Sequence, residues 1–436
     1  MTSPRAVQSE QNLPQRSLLL GMIGWIVYDW ATNSFPTIVE TFLFASYFTG
    51  EVAPSETVGT TWWGLTLGIT GLLIAVAAPL LGALLDQLGR RKPWIAVLTS
   101  VTVVAVALMW FIEPEPGYAL PALLLLAVGT FSLQLALVLY NAMLPALAPP
   151  EKTGRWSGWG WCAGYAGGLA CLAVALFVFV LPEGRWLGLD PGRSEHIRAT
   201  LPMTAVWLLL FTLPLLWLTP DAPSSGKPLG RAARDALGQL RDSFRALRRY
   251  QHIVRFLIAR LFYVEGLTTV FIFGGVYARG TFGMDAAEIL AFGIGMNIAA
   301  GLGALAFSWI DDWIGGKRTV TISLVGLMVP GTALLLVQST LWFWVFALVL
   351  GVFVGPAQAG SRSYLARVAP EKLHNQLFGL YAFSGRAVAF LGPLLVGGLT
   401  HLTQSQRIGM SAVVGLIFLG FLVWLTVPRE DQVAAE

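Results

Sequence analysis

The chain has 436 residues, 56% of them apolar and only 12% charged, with a formal net charge of +4. No water-soluble fold of this length covers so much apolar surface, which excludes a soluble enzyme or binding module. The charges fall between apolar runs of about 20 residues, the length of helix that crosses a hydrocarbon core of about 30 Å.

Twelve such runs are predicted, over residues 20–46, 61–85, 94–112, 119–143, 157–181, 201–219, 256–279, 287–310, 319–337, 341–359, 376–400 and 407–427. Backbone groups in lipid must be satisfied within their own segment, and continuous runs favour a helical bundle over a barrel of short alternating strands. The fold class is therefore an all-α membrane protein with twelve transmembrane helices. The stretch before Leu18 is polar and lacks the apolar core and cleavage site of a secretory signal, so the first span is expected to be retained.

That first run carries Asp29, with Asn33, Pro36 and Glu40 following at spacings that stack them on one helix face. Asp29 lies about 16 Å into the span at 1.5 Å per residue, near mid-bilayer. A charge there costs about 2.5–3.5 kcal/mol on insertion scales, so the stripe is expected to face a water-filled cavity. Pro36 predicts a kink or a local break.

After the second run comes Gly82-Ala83-Leu84-Leu85-Asp86-Gln87-Leu88-Gly89-Arg90-Arg91-Lys92, and after the eighth Ser308-Trp309-Ile310-Asp311-Asp312-Trp313-Ile314-Gly315-Gly316-Lys317-Arg318. The shared pattern is a small residue, Asp four on, Gly three further, then a basic cluster. A second pair, Leu144 to Lys152 and Tyr364 to Lys372, follows runs four and ten. The chain thus reads as two six-helix halves, 1–219 and 253–436, in a 6+6 pseudo-twofold arrangement around a midplane site. Asp86 with Arg90, and Asp312 with Lys317, are expected to act as gating groups that latch one conformation.

On the fifth run Gly160, Gly164 and Gly168 recur every four residues, a ridge that lets helices approach closely. Cys162 and Cys171 on the same run point to opposite faces and cannot bridge each other. Between the halves, 220–252 reads as a linker with an amphipathic basic helix: Leu237, Leu240, Phe244 and Leu247 alternate with Arg231, Arg234, Arg241, Arg245 and Arg248. Such a helix is expected on the anionic membrane surface.

The seventh run carries Glu265 about 14 Å from its start, and the eleventh carries Arg386 about as deep. Arg260 lies nearer the end of its span and is expected to snorkel to water as an anchor. Gln134, Asn141, Asn297 and Gln358 complete the polar set of the solute pathway, and each also fits a hydrogen bond between helices. Of the 28 Lys and Arg, 21 fall on the face that holds both termini, Arg362 and Arg367 among them, which places both termini in the cytoplasm. The same bias accounts for the basic balance without a nucleic-acid partner.

The two Gly-x-x-x-Asp-x-x-Gly-basic loops, counting Ser308 as the small residue, resemble the signature loop of the major facilitator superfamily. Tyr28-Asp29-Trp30-Ala31-Thr32-Asn33-Ser34 resembles the first-helix motif of its vacuole-effluxer branch, as do Gly283, Gly293, Asn297, Ala299-Ala300-Gly301, Gly355-Pro356 and Gln358. Asn33 follows Trp30 by three residues where two are expected, and Glu265 stands where Asp is expected. The resemblance implies the major facilitator fold, with helices seven and eleven lining the cavity. Glu265 and Arg386 then become partners in a charge switch, and the implied cargo is an exported amino acid or similar metabolite.

Gly316-Lys317 is followed by Arg318, with Asp311 where a phosphate-binding loop needs its first Gly, so a gradient is the expected energy source. No nucleophile elbow or His-Glu-x-x-His pair supports an enzyme. His196, His252, His374 and His401 lack metal-ligand spacing, and no cofactor is expected. The reading is a monomeric secondary transporter of a small polar solute in a bacterial inner membrane, coupled to protons. A sugar–cation symporter, a multidrug exporter and a non-transporting receptor stay open.

Overall fold

The apolar runs become a helical bundle in the computed structural model of the chain, which describes residues 15–434 apart from 184–186, 247–249, 285, 371–372 and 386–390. The first half consists of α1 (Gln15–Thr32), α2 (Glu56–Leu88), α3 (Lys92–Leu108), α4 (Ala119–Leu147), α5 (Thr153–Val174) and α6 (Thr200–Leu218). A linker helix, α7 (Leu229–Ala246), leads to α8 (Gln251–Phe282), α9 (Ala286–Ile314), α10 (Gly316–Leu336) and α11 (Thr340–Val368). Then follow α12 (His374–Ser384), α13 (Leu391–Thr403), α14 (Gln406–Leu425) and the short α15 (Glu430–Ala434).

Ten helices among the described residues are long and apolar enough to cross a membrane. The first span is interrupted, and the eleventh is described only on either side of residues 386–390. The first passes at Pro36 into π-helical turns, Pro36–Phe42 and Phe48–Val52, since proline has no N–H to continue the regular ladder. The eleventh, predicted as one run, is described as α12 and α13. The tenth extends to Val368, nine residues past its predicted end.

The halves meet along two seams related by the duplication, α2 against α12 and α5 against α9. Small residues allow both. A Cβ on Gly379 would stand 2.7 Å from the Ala78 carbonyl oxygen, and one on Gly158 would stand 2.5 Å from Cβ of Ser308. Seams this close bring main-chain amides within reach of side chains on the opposite half.

The duplicated loops fold alike. Gly89 and Gly315 close α2 and α9 with φ of 88° and 85°, a region where a side chain is strained. The segment after each half's last span then fastens the loop. Asp221 accepts hydrogen bonds from the amides of Arg91 (2.9 Å) and Lys92 (3.1 Å) at the start of α3, and Lys92 Nζ donates to the Thr219 carbonyl at 2.7 Å. In the second half Glu430 accepts from the Lys317 amide at 3.1 Å, and Lys317 Nζ donates to the Trp424 carbonyl.

The helix α7 lies against α2, with Ala232 and Ala236 buried and Lys227 Nζ 2.5 Å from Gln87 Oε1. Arg231 and Arg234 are exposed. The side chains of Leu237, Leu240, Phe244, Leu247, Arg241, Arg245 and Arg248 lie outside the described residues. Both cysteines are free thiols.

Candidate functional site

Asp29 is buried, 7% exposed, on the stretch of α1 that packs against α4 and α5. Tyr140 of α4 donates its hydroxyl to Asp29 Oδ2 at 2.7 Å. The charge is met from the other half of the protein: Nη1 of Arg362, on α11, lies 3.1 Å from the same oxygen. Arg362 is itself only 2% exposed. It donates further to Asn141 Oδ1 (3.2 Å), Ser157 Oγ (2.9 Å) and the Ser157 carbonyl (2.5 Å). Its guanidinium carbon lies 4.8 Å from the ring centre of Trp25, 5.7 Å from Trp161 and 6.0 Å from Tyr140.

Ser157 binds the halves a second time by donating to the Ala359 carbonyl at 2.8 Å. Tyr140 is held in turn, its ring stacked on Trp25 at 4.4 Å and its carbonyl accepting from Trp25 Nε1 at 3.0 Å.

The glycine ridge of α5 makes room for this. A Cβ on Gly160 would stand 2.6 Å from Asp29 Oδ2 and 2.8 Å from Arg362 Nη2, and one on Gly168 would meet Thr37 Oγ1 at 2.6 Å. Gly164 faces the Asn33 amide in the same way. The polar stripe expected to face an open cavity therefore lies, at Asp29 and Asn33, against a helix pared down to admit it. Asn33 is half-buried and bonds back to the Asp29 carbonyl at 3.4 Å, and Glu40 accepts from Thr130 Oγ1 at 2.7 Å. Gln134 and Gln358 are half-buried, while Asn297 spends its amide on the Gly293 carbonyl of its own helix at 2.8 Å.

From the sequence Arg362 reads as a loop cation, because the apolar run of span ten ends at residue 359. The signal lay in helix-compatible residues running on to Val368 and in a spacing of four from Gln358.

Glu265, 2% exposed, stands apart from this cluster. Its Oε1 accepts from the Gly392 amide of α13 at 2.7 Å. Arg386, its expected partner, lies outside the described residues. A Cβ on Gly392 would stand 2.8 Å from Glu265 Oε1 and collide with Thr269, so Gly392→Val is expected to lower the melting temperature by several degrees. An unchanged melt would show that Glu265 moves aside without cost.

Arg260 does not snorkel. It is 5% exposed, its Nη1 donates to the Tyr381 carbonyl (2.5 Å) and to Ser384 Oγ (2.8 Å), and its guanidinium lies 3.4 Å from the ring centre of Tyr381. The Tyr381 carbonyl and the Ser384 hydroxyl, both in the last turn of α12, hold the cation inside the bundle.

The duplicated aspartates cross the seams. Asp86 Oδ1 accepts from the Asn375 amide (3.2 Å) and side chain (2.5 Å), and Oδ2 accepts from the Gln376 amide (3.0 Å) at the start of α12. Asp312 Oδ1 accepts from the Arg155 amide at 2.9 Å at the start of α5, and Oδ2 pairs with Arg155 Nε at 3.2 Å. Each carboxylate thus caps the N-terminus of a helix in the opposite half. The expected basic partners sit elsewhere: Arg90 is exposed, and Lys317 turns to Trp424, its ammonium 4.4 Å from the ring centre. Arg91 lies closer, and burial pulls its guanidinium below the ordinary value against the fields of Asp86 and Asp221. Asp311, not singled out from sequence, accepts from Arg367 Nη1 (2.5 Å) and Ser363 Oγ (2.6 Å), while Arg367 also reaches Asp312 at 3.5 Å.

A family model described as Vacuole effluxer Atg22 like matches residues 150–435, and one for the Major Facilitator Superfamily matches residues 4–172. An uncharacterized MFS-type transporter of Bacillus subtilis, YxiO, is 24% identical over 94% of this chain and 95% of its own. Autophagy-related protein 22 of Cryptococcus neoformans is 24% identical over 74% of this chain and 60% of its own length. Among solved structures, the proton:xylose symporter XylE bound to 6-bromo-6-deoxy-D-glucose superposes with a TM-score of 0.71 at 16% identity, over 96% of this chain and 98% of that one. This multi-pass membrane protein therefore belongs to the vacuole effluxer Atg22-like family, within the major facilitator superfamily of transporters.

Proposed function

We propose that the protein exports a small polar organic solute, an amino acid or similar metabolite, by rocking its two halves about a site at Asp29, driven by a proton gradient. The basic face, with both termini, is cytoplasmic in this reading, and the membrane is the bacterial inner membrane. The observation that carries it is the Asp29–Arg362 pair, a buried charge pair with one member in each half.

A buried carboxylate that loses its cation is destabilised by several kcal/mol, so separating the halves requires a replacement for Arg362. A proton on Asp29 removes the need by removing the charge. In this reading the Asp86 and Asp312 caps hold the basic end closed.

Gradient-driven flux in proteoliposomes, screened over amino acids, peptides and sugars, tests the reading. Flux in the Asp29→Asn protein is expected to lose its acceleration by a pH gradient. Undiminished acceleration would remove Asp29 from the coupling path.

A further inference from the structure

The surroundings of the Arg362 guanidinium all come from the other half. Its acceptors are a carboxylate (Asp29), an amide oxygen (Asn141), a hydroxyl and a main-chain carbonyl (both Ser157). Three aromatic rings, Trp25, Tyr140 and Trp161, stand within 6.0 Å. Acceptors and ring faces converging on one volume make a receptor for a delocalised or primary cation. Gly160 preserves its depth, since a side chain there would fill the space between Asp29 and Arg362.

We propose that this box on the first half is the solute's cation subsite, and that Arg362 fills it in the empty carrier in place of the guanidinium or ammonium group of the cargo. The inference rests on the alternating-access reading above and narrows its substrate class to organic cations and to zwitterions that present such a group. When the cytoplasmic seams open, α11 withdraws Arg362 with the second half and the box is vacated. A solute cation then enters and neutralises Asp29. The empty carrier closes on its own arginine instead, so Asp29 is never left buried and unpaired. A proton competes for the same carboxylate, so solute outward and proton inward exchange at one group.

Binding of methylguanidinium and agmatine to the full-length protein in nanodiscs tests this, with Arg362→Gln as the vacated box. That variant is expected to bind methylguanidinium saturably and about tenfold or more tighter than wild type, because the box is no longer occupied for most of the time. Agmatine should compete and glucose should not, and adding Asp29→Asn should abolish the binding. Equal binding after Asp29→Asn, or no saturable binding, overturns the proposal.

Should Arg362→Gln fail to fold, wild-type counterflow decides. Agmatine inside the vesicles should accelerate agmatine entry, and Trp25→Leu should raise the half-saturating concentration about tenfold. Counterflow of neutral solutes with agmatine inert overturns the box and leaves the transport reading standing. Methylguanidinium binding with no solute exchanged does the reverse.

Discussion

Arg362→Ala is expected to lower the stability of the folded protein by about 3–5 kcal/mol, the penalty for leaving a buried carboxylate without its ion partner. Four hydrogen bonds end with the side chain, and Asp29 keeps only Tyr140 of its two partners. Asp29→Asn alone should cost less, since Arg362 keeps Asn141 and both oxygens of Ser157 as acceptors. Combining the two should recover much of the loss, because the stranded charge is then gone. A double-mutant cycle on melting in one detergent reads the coupling directly. Additive losses would mean that the two charges do not sense one another, and the inter-half pair would lose its place in the mechanism.

The second large effect belongs to the seams. Hydrogen bonds to a charged group contribute about 1.5–3 kcal/mol each, and Asp86 and Asp312 each take at least two such contacts from the opposite half. Moving a two-state equilibrium from 99:1 to 1:99 takes about 5.5 kcal/mol, so Asp86→Asn with Asp312→Asn is enough to redistribute the halves. Spin labels on the exposed positions Arg90 and Arg429 should report a longer distance in the double variant, and each single variant should fall between. An unchanged distance distribution would show that the Asp29–Arg362 cluster alone holds the basic end shut.

These sites differ in how far the sequence discloses them. Asp29 and Glu265 stand out because an apolar run gives a carboxylate no context, and Asp86 and Asp312 because the duplication repeats their setting. Their partners do not stand out. Asp86 and Asp312 bind main-chain amides in the first turns of α12 and α5, Glu265 binds one in α13, and an amide carries no residue signature. Arg362 was hidden by its position near a loop, where topology alone explains an arginine.

Arg260 shows the same limit, since its acceptors are a carbonyl and a hydroxyl on another helix that one run of hydropathy cannot reveal. Gly160, Gly164 and Gly168 were legible as a ridge for close packing. What the ridge admits, a row of polar groups on the first helix, depends on the pairing of two helices more than 120 residues apart in sequence.

Glu430 has a practical side. It follows the last span, holds the first turn of α10 and lies 3.7 Å from Arg367, which in turn reaches Asp311 and Asp312. Shortening the polypeptide at Pro428 would remove an anion from the same cluster that closes the seam. Activity lost in such a shortened protein would report that cluster disturbed before it reported a missing cargo site.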